Sequence, residues 1–171
     1  MPIQAFAELN CSIARPLAFL GERWTLLVLR DLFLGRRRFD EIQDSLGVAS
    51  NVLSQRLATL TEEGIAERHR YSEHPERFEY HLTAKGRDLQ PVLLAMLAWG
   101  DRYTAGEAGP PLETVHDECG HAFHMVPTCS ECGERLDGRH IHSRAGAGAT
   151  EAQHQQFVER DRRRAAERRA A

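Results

Sequence analysis

The chain has 171 residues, of which 42% are hydrophobic and 27% charged, with a net charge of −3. That balance excludes a wholly disordered chain, a collagen-like repeat and a disulfide scaffold, and it leaves room for one ordinary domain plus a small module. The longest apolar stretch, Val92 to Trp99, is eight residues, far short of the roughly 20 a membrane helix needs. The N-terminus shows no basic start followed by an apolar run, so no secretory signal is expected and the reading is cytoplasmic.

Charge is spread unevenly. Residues 1–112 hold 13 basic and 15 acidic groups, residues 113–142 hold two and six, and residues 143–171 hold seven and four. The total argues neither for nor against nucleic acid, so local clusters such as Arg36-Arg37-Arg38 matter more.

In chain order, a first helix is expected from about Asn10 to Leu20, with Asn10 as N-cap and Gly21 as stop. The next stretch, Trp24 to Leu34, is apolar nearly all round and reads as the buried central helix, ended by Gly35. Phe39 to Leu46 is a third helix, closed by Gly47. Ser50 to Glu63 is a fourth, with Ser50 as cap. Leu53, Leu57 and Leu60 fall at i, i+4 and i+7 and make one buried stripe, which leaves Asn51, Gln55, Ala58 and Glu62 outward and Ser54 on the flank. Two extended segments, Ile65 to Tyr71 and Phe78 to Leu82, flank the turn formers of 72–77 and predict a hairpin. Thr83 caps a fifth helix over about Ala84 to Tyr103, where Pro91 implies a kink or a late start.

The fold class is therefore mainly α with a small β hairpin, an α+β winged helix–turn–helix followed by a short module. The expected organisation is a DNA-binding and dimerisation domain over 1–104, a linker over 105–112, a Cys/His module over 113–142 and an Arg-rich helical or disordered tail over 143–171. A major groove admits one helix, whose N-terminal residues reach base edges. Asn51 and Gln55 each suit an adenine edge and Ser54 suits several. Arg36, Arg37, Arg38, Arg56 and Arg77 are the expected phosphate contacts, with His74 beside Arg77 on the hairpin. The competing reading is a helical domain with a merely solvated polar face.

The string Cys11-x9-Gly21-Glu-Arg-Trp24-Thr-Leu-Leu-Val-Leu-Arg30-Asp-Leu resembles the start of the HxlR-type (DUF24) transcriptional regulators, relatives of the MarR group. The likeness continues through Arg37-Arg38-Phe39-Asp-Glu-Ile42, Leu53-Ser-Gln-Arg-Leu57-x2-Leu60-x3-Gly64 and Arg77-Phe-Glu-Tyr80-x-Leu82-Thr83-x2-Gly86, and ends at Ala98-Trp99-Gly100. It implies a homodimer on an inverted repeat of double-stranded DNA, with the dimer interface made by the first and last helices, here Ile13–Leu20 and Leu89–Tyr103. Two departures stand out: Ser12 where the family usually has Pro, and Ala49, Asn51 and Val52 where an extra basic residue is common.

Cys11 falls in the first turn of the first expected helix, where free amides and Arg15 favour a thiolate. The resemblance implies an oxidant-sensing role. A small buried hydrophobe is the other reading. An effector acting on the spacing of two recognition helices works only through different affinity for the two dimer states.

His116-x2-Cys119-Gly and Cys129-x2-Cys132-Gly have the spacing of two metal knuckles, in which the Gly tolerates the turn. Four such donors make a closed Cys3His set that suits a structural zinc ion, about one per chain. His121, His124, His140 and His142 are alternatives to His116. A metal-free module and a thiol–disulfide enzyme are the rival readings, the second without the strand–helix alternation it needs. No nucleophile–base pair or open metal site is evident, so an enzyme is not expected. The rival function is a protein–protein adaptor docking through the module. The tail, with Arg160, Arg162, Arg163, Arg164, Arg168 and Arg169, reads as a solvated helix or disordered end rather than a phosphate-binding arm.

Overall fold

The computed structural model describes residues 3–170. A 3-10 stretch over Ile3–Glu8 leads to helix α1 (Ala14–Leu20), then α2 (Thr25–Phe33), α3 (Phe39–Leu46) and α4 (Ser50–Glu62). Strands β1 (Ala66–Glu73) and β2 (Glu76–Leu82) form an antiparallel hairpin, followed by the single turn α5 (Ala84–Arg87) and the long α6 (Gln90–Thr104). The architecture is an α+β winged helix–turn–helix.

The leucine stripe explains the seating of α4. Leu53, Leu57 and Leu60 are fully buried, together with Val28 and Leu29 of α2, Ile42 of α3 and Ile65. Three helices thus close on one apolar cluster, which removes the side chains from water and fixes α4 against α2 and α3. Gly47, with φ +61°, makes the left-handed stop of α3 that few other residues adopt.

The hairpin is longer and its turn tighter than the sequence predicts, because pairing runs on to Glu73 and Glu76 around a bulge between Arg70 and Ser72. A bridge between Arg38 and Glu79, with the Tyr80 amide donating to the Arg37 carbonyl at 2.8 Å, ties the α2–α3 loop to β2. Thr83 does cap α5: its hydroxyl accepts from the Gly86 amide at 3.1 Å. The helical run then breaks at Asp88–Leu89 and restarts with Pro91 in the first turn of α6, where a missing amide is harmless.

Two caps differ from expectation. Helix α1 starts at Ala14, and Asn10 is no cap. The Asn10 amide donates instead to the Gly148 carbonyl at 2.8 Å and to Gln153 Oε1 at 2.7 Å, a long-range partnership that no local pattern reveals. Ala49 precedes α4 as cap, and the Ser50 hydroxyl accepts from Gln43 Nε2 at 2.7 Å.

Beyond α6 the chain forms two small turns. Val115–His116 (β3) pairs with His121–Ala122 (β4), and Thr128 bridges Arg135. The last helix, α7 (Glu151–Ala170), begins at a capping box in which Gln153 Oε1 accepts from the Thr150 amide at 2.9 Å. The side chains of Arg168 and Arg169 lie outside the described residues.

Candidate nucleic-acid interface

Helix α4 turns its leucines inward and thereby presents Asn51, Ser54 and Gln55 to solvent. All three occupy its first two turns, so two amides and a hydroxyl form one neutral, exposed face on a rigidly packed helix. Arg56 does not join it. Its side chain is 91% buried, and its Nη1 lies 3.3 Å from the Glu22 carboxylate. The expectation of a phosphate contact at Arg56 is corrected: position 56 is three residues after Leu53 and one before Leu57, which places it on the inward side.

The arginines of the α2–α3 loop have distinct settings. Arg37 is exposed. Arg38 is exposed too, but its Nε donates to Glu79 Oε1 at 3.0 Å and its guanidinium lies 4.7 Å from the Tyr71 ring centre. This pairing draws the Glu79 carboxyl below its usual range. Both backbone amides, Arg37 and Arg38, donate to Glu41 Oε2 at 3.0 Å, capping α3, and they hold the Glu41 carboxyl low as well. Arg77 and His74 are exposed at the hairpin end. On the outer hairpin face the rings of His69 and His81 stack 4.6 Å apart.

Sequence reasoning passed over Arg30 and Asp31. Asp31 is fully buried, and its Oδ1 accepts from Arg30 Nε at 2.9 Å and Nη2 at 2.6 Å. Arg36 Nη1 stands 3.6 Å from the same oxygen. The signal was an acidic residue inside an otherwise apolar helix, since such a charge requires partners.

Helix α6 buries none of its residues fully. Val92, Met96, Trp99 and Tyr103 recur at i, i+4, i+7 and i+11 and are 54%, 57%, 61% and 61% exposed. Ile13 is exposed as well. Between α6 and the C-terminal module lies an open cavity of about 810 Å3, lined by Leu97, Trp99, Tyr103, Phe123 and Met125 among others.

Cys11 is exposed and lies three residues ahead of α1, not within its first turn as the sequence suggests. Backbone amides of Ala14 and Ile13 donate to its sulfur and, with Arg15, draw its thiol below the usual range. In the module, His116 Nδ1 lies 3.3 Å from Cys119 Sγ, and Gly120 takes the left-handed backbone of a knuckle turn. Cys129 receives the amides of Cys132 and Glu131 and contacts the Cys132 thiol, which lowers the Cys129 thiol. Gly133 repeats the turn of Gly120. Each knuckle thus brings two donors side by side. The two pairs do not meet: among the described residues no three His, Cys, Asp or Glu side chains converge on one point.

Among the described residues no helix is long and apolar enough to cross a membrane. A family model, the HxlR-like helix-turn-helix, matches residues 19–108. The chain is 42% identical over 137 residues to an uncharacterised HTH-type transcriptional regulator of Mycobacterium tuberculosis, covering 80% of this chain and 87% of that one. It is similar in structure to PA1607, a candidate transcription factor, with a TM-score of 0.74 and 32% identity, over 83% of this chain and 99% of that one. It is also similar to the redox regulator HypR in its oxidised form, with a TM-score of 0.50 and 30% identity, over 54% of this chain and 96% of that one. The relatives are named as transcriptional regulators, not as enzymes.

Proposed function

The chain belongs to the HxlR-like helix-turn-helix family and is a transcriptional regulator of the helix-turn-helix type, and from that premise we propose that it acts in the cytoplasm as a homodimer on an inverted-repeat DNA site. One α4 enters the major groove at each half-site. The observation that carries this reading is the exposed trio Asn51, Ser54 and Gln55 on a helix whose opposite side is locked by buried leucines. Arg37, Arg38 and Arg77 hold phosphates on either side of it. The unpartnered stripe of α6, with Ile13 of the α1 approach, is the dimer seam.

The activity responds to thiol oxidation at Cys11 or to a small molecule. Support for the first is the exposed, amide-stabilised Cys11 sulfur and the likeness to a redox regulator. Support for the second is the apolar cavity beside Trp99 and Tyr103, whose size is that of small-molecule sites. A structural zinc ion would be held by His116, Cys119, Cys129 and Cys132, which requires the two knuckles to close on each other.

Selection of genomic fragments by the purified protein tests the reading, with affinity followed against salt. One enriched inverted repeat and a steep salt dependence are expected. Gln55→Ala should relax selectivity at one base pair, at a cost of about 1–3 kcal/mol. Absence of enrichment in both reduced and oxidised protein would favour a protein–protein adaptor docking through the module.

A further inference from the structure

Asp31 presents a problem that its surroundings answer in an unusual way. A carboxylate with no exposed surface is costly unless cations or donors compensate it. One guanidinium would suffice for that. Two are present, on the same oxygen: Arg30 donates through Nε and Nη2, and Arg36 Nη1 stands 3.6 Å away. The backbone enforces the meeting, because the Arg36 amide donates to the Asp31 carbonyl at 3.0 Å as α2 ends.

Two positive groups gathered on one negative group leave a surplus of one positive charge. That surplus faces solvent, since the Arg30 and Arg36 side chains are 44% and 40% exposed while the carboxylate between them is covered. A guanidinium has five N–H donors in a planar fork, and Asp31 occupies only part of each set. The remaining donors belong to two forks pinned side by side. A phosphate monoanion has the matching charge and acceptor oxygens. Arg36 also lies three residues before Phe39, the first residue of α3. In a helix–turn–helix pair the helix before the recognition helix crosses the nucleic-acid backbone.

We propose that Arg30 and Arg36, pinned together by the buried carboxylate of Asp31, form one phosphate clamp that grips a single phosphodiester of the bound duplex. This rests on the DNA-binding reading above and adds to it a site made of Arg30 and Asp31. Asp31 is the positioning residue: it touches no phosphate and fixes the spacing of the two forks.

The test is the slope of log affinity against log salt for the full-length protein on a duplex carrying the selected repeat. Arg30→Gln and Arg36→Gln should each lower the slope by about 0.9 per clamp engaged, as expected for one phosphate contact. The double variant should lose no more than either single one, because both side chains serve one phosphate. Equal loss on random duplex is expected, since a backbone contact carries no sequence information. Asp31→Asn should also lower the slope, whereas a purely structural role would lower the melting temperature and leave the slope unchanged. Should that variant fail to fold, the two exposed arginine variants decide alone. Unchanged slopes in both, or a double variant that loses the sum, would overturn the clamp while leaving DNA binding intact. If the parent shows no salt-dependent duplex binding, titration with inorganic phosphate followed by phosphorus NMR separates the remaining cases. Binding lost in Arg30→Gln would keep the clamp and assign it to a free phosphate, and no binding would remove it together with the DNA reading.

Discussion

The Arg56 guanidinium stands 3.3 Å from the Glu22 carboxylate, joining the inner side of α4 to the loop between α1 and α2. Glu22 keeps about a third of its surface while Arg56 is almost covered, so the two partners are not equivalent. Glu22→Gln leaves a buried cation without its counter-charge and should cost about 1–3 kcal/mol. Arg56→Met removes the charge and keeps the volume, and should cost less. Urea unfolding of the two variants checks the order, and the reverse order would mean that the pair does little for stability.

Gly86 is buried, and a methyl group there would stand 2.1 Å from the Ile65 carbonyl oxygen. Leu82 Cδ2, also close by, can swing aside, but the Ile65 carbonyl is backbone, so the hairpin and α5 have to separate. Gly86→Ala should destabilise by about 3 kcal/mol, read as a lowered melting temperature. A melt within a degree of the parent would show that the junction yields cheaply.

The Cys11 thiol is drawn below the usual range by the amides of Ala14 and Ile13 and, less strongly, by Arg15. Its alkylation should therefore rise with pH at lower values than that of a free thiol, and Arg15→Ala should move the profile upward. The same shift links to stability. The folded state favours the thiolate, so the contribution is complete above the unfolded thiol's range and fades as pH falls through the folded one. An alkylation profile like that of a small thiol would contradict the geometry.

Met96 lies in the middle of the exposed stripe of α6. Met96→Glu should yield a monomer by sedimentation at concentrations where the parent is a dimer, without lowering the melt of the monomer core. A monomeric parent would place the dimer seam elsewhere or remove it.

Purified protein should carry about one zinc ion per chain, lost on chelation or in Cys132→Ser. Loss should expose residues 113–142 to protease while the helix–turn–helix remains resistant. Metal-free protein that a chelator does not alter would leave the knuckles as a His116–Cys119 pair and a Cys129–Cys132 thiol pair.

What the sequence makes legible is whatever its local period encodes. The leucine stripe of α4 is set by neighbours three or four positions apart and the hairpin by the turn formers of 72–77, so their placement follows from local sequence. Arg56 was also legible in principle, because its position on the wheel lies among Leu53, Leu57 and Leu60. Basic character drew it to the wrong surface. Asn10 was not legible: as a cap it satisfied every local rule, and its amide was claimed by Gln153 from 143 positions away. The Thr150-x-x-Gln153 capping box was readable and marks the start of α7, where only a solvated helix or disordered end was expected. The relation of the two knuckles is set by packing between turns, which spacing leaves open.

The hold that Gln153 has on Asn10 makes the two extremities of the molecule reporters on each other. The amide and the carbonyl of Asn10 are both engaged by the first turn of α7, and the next residue is the exposed thiol. A bulky or charged group fixed to that sulfur therefore stands one residue from the anchor of the arginine-bearing helix α7. Position 11 is thereby tied, through one peptide bond and the amide hydrogen bonds of Asn10, to a helix at the far end of the sequence.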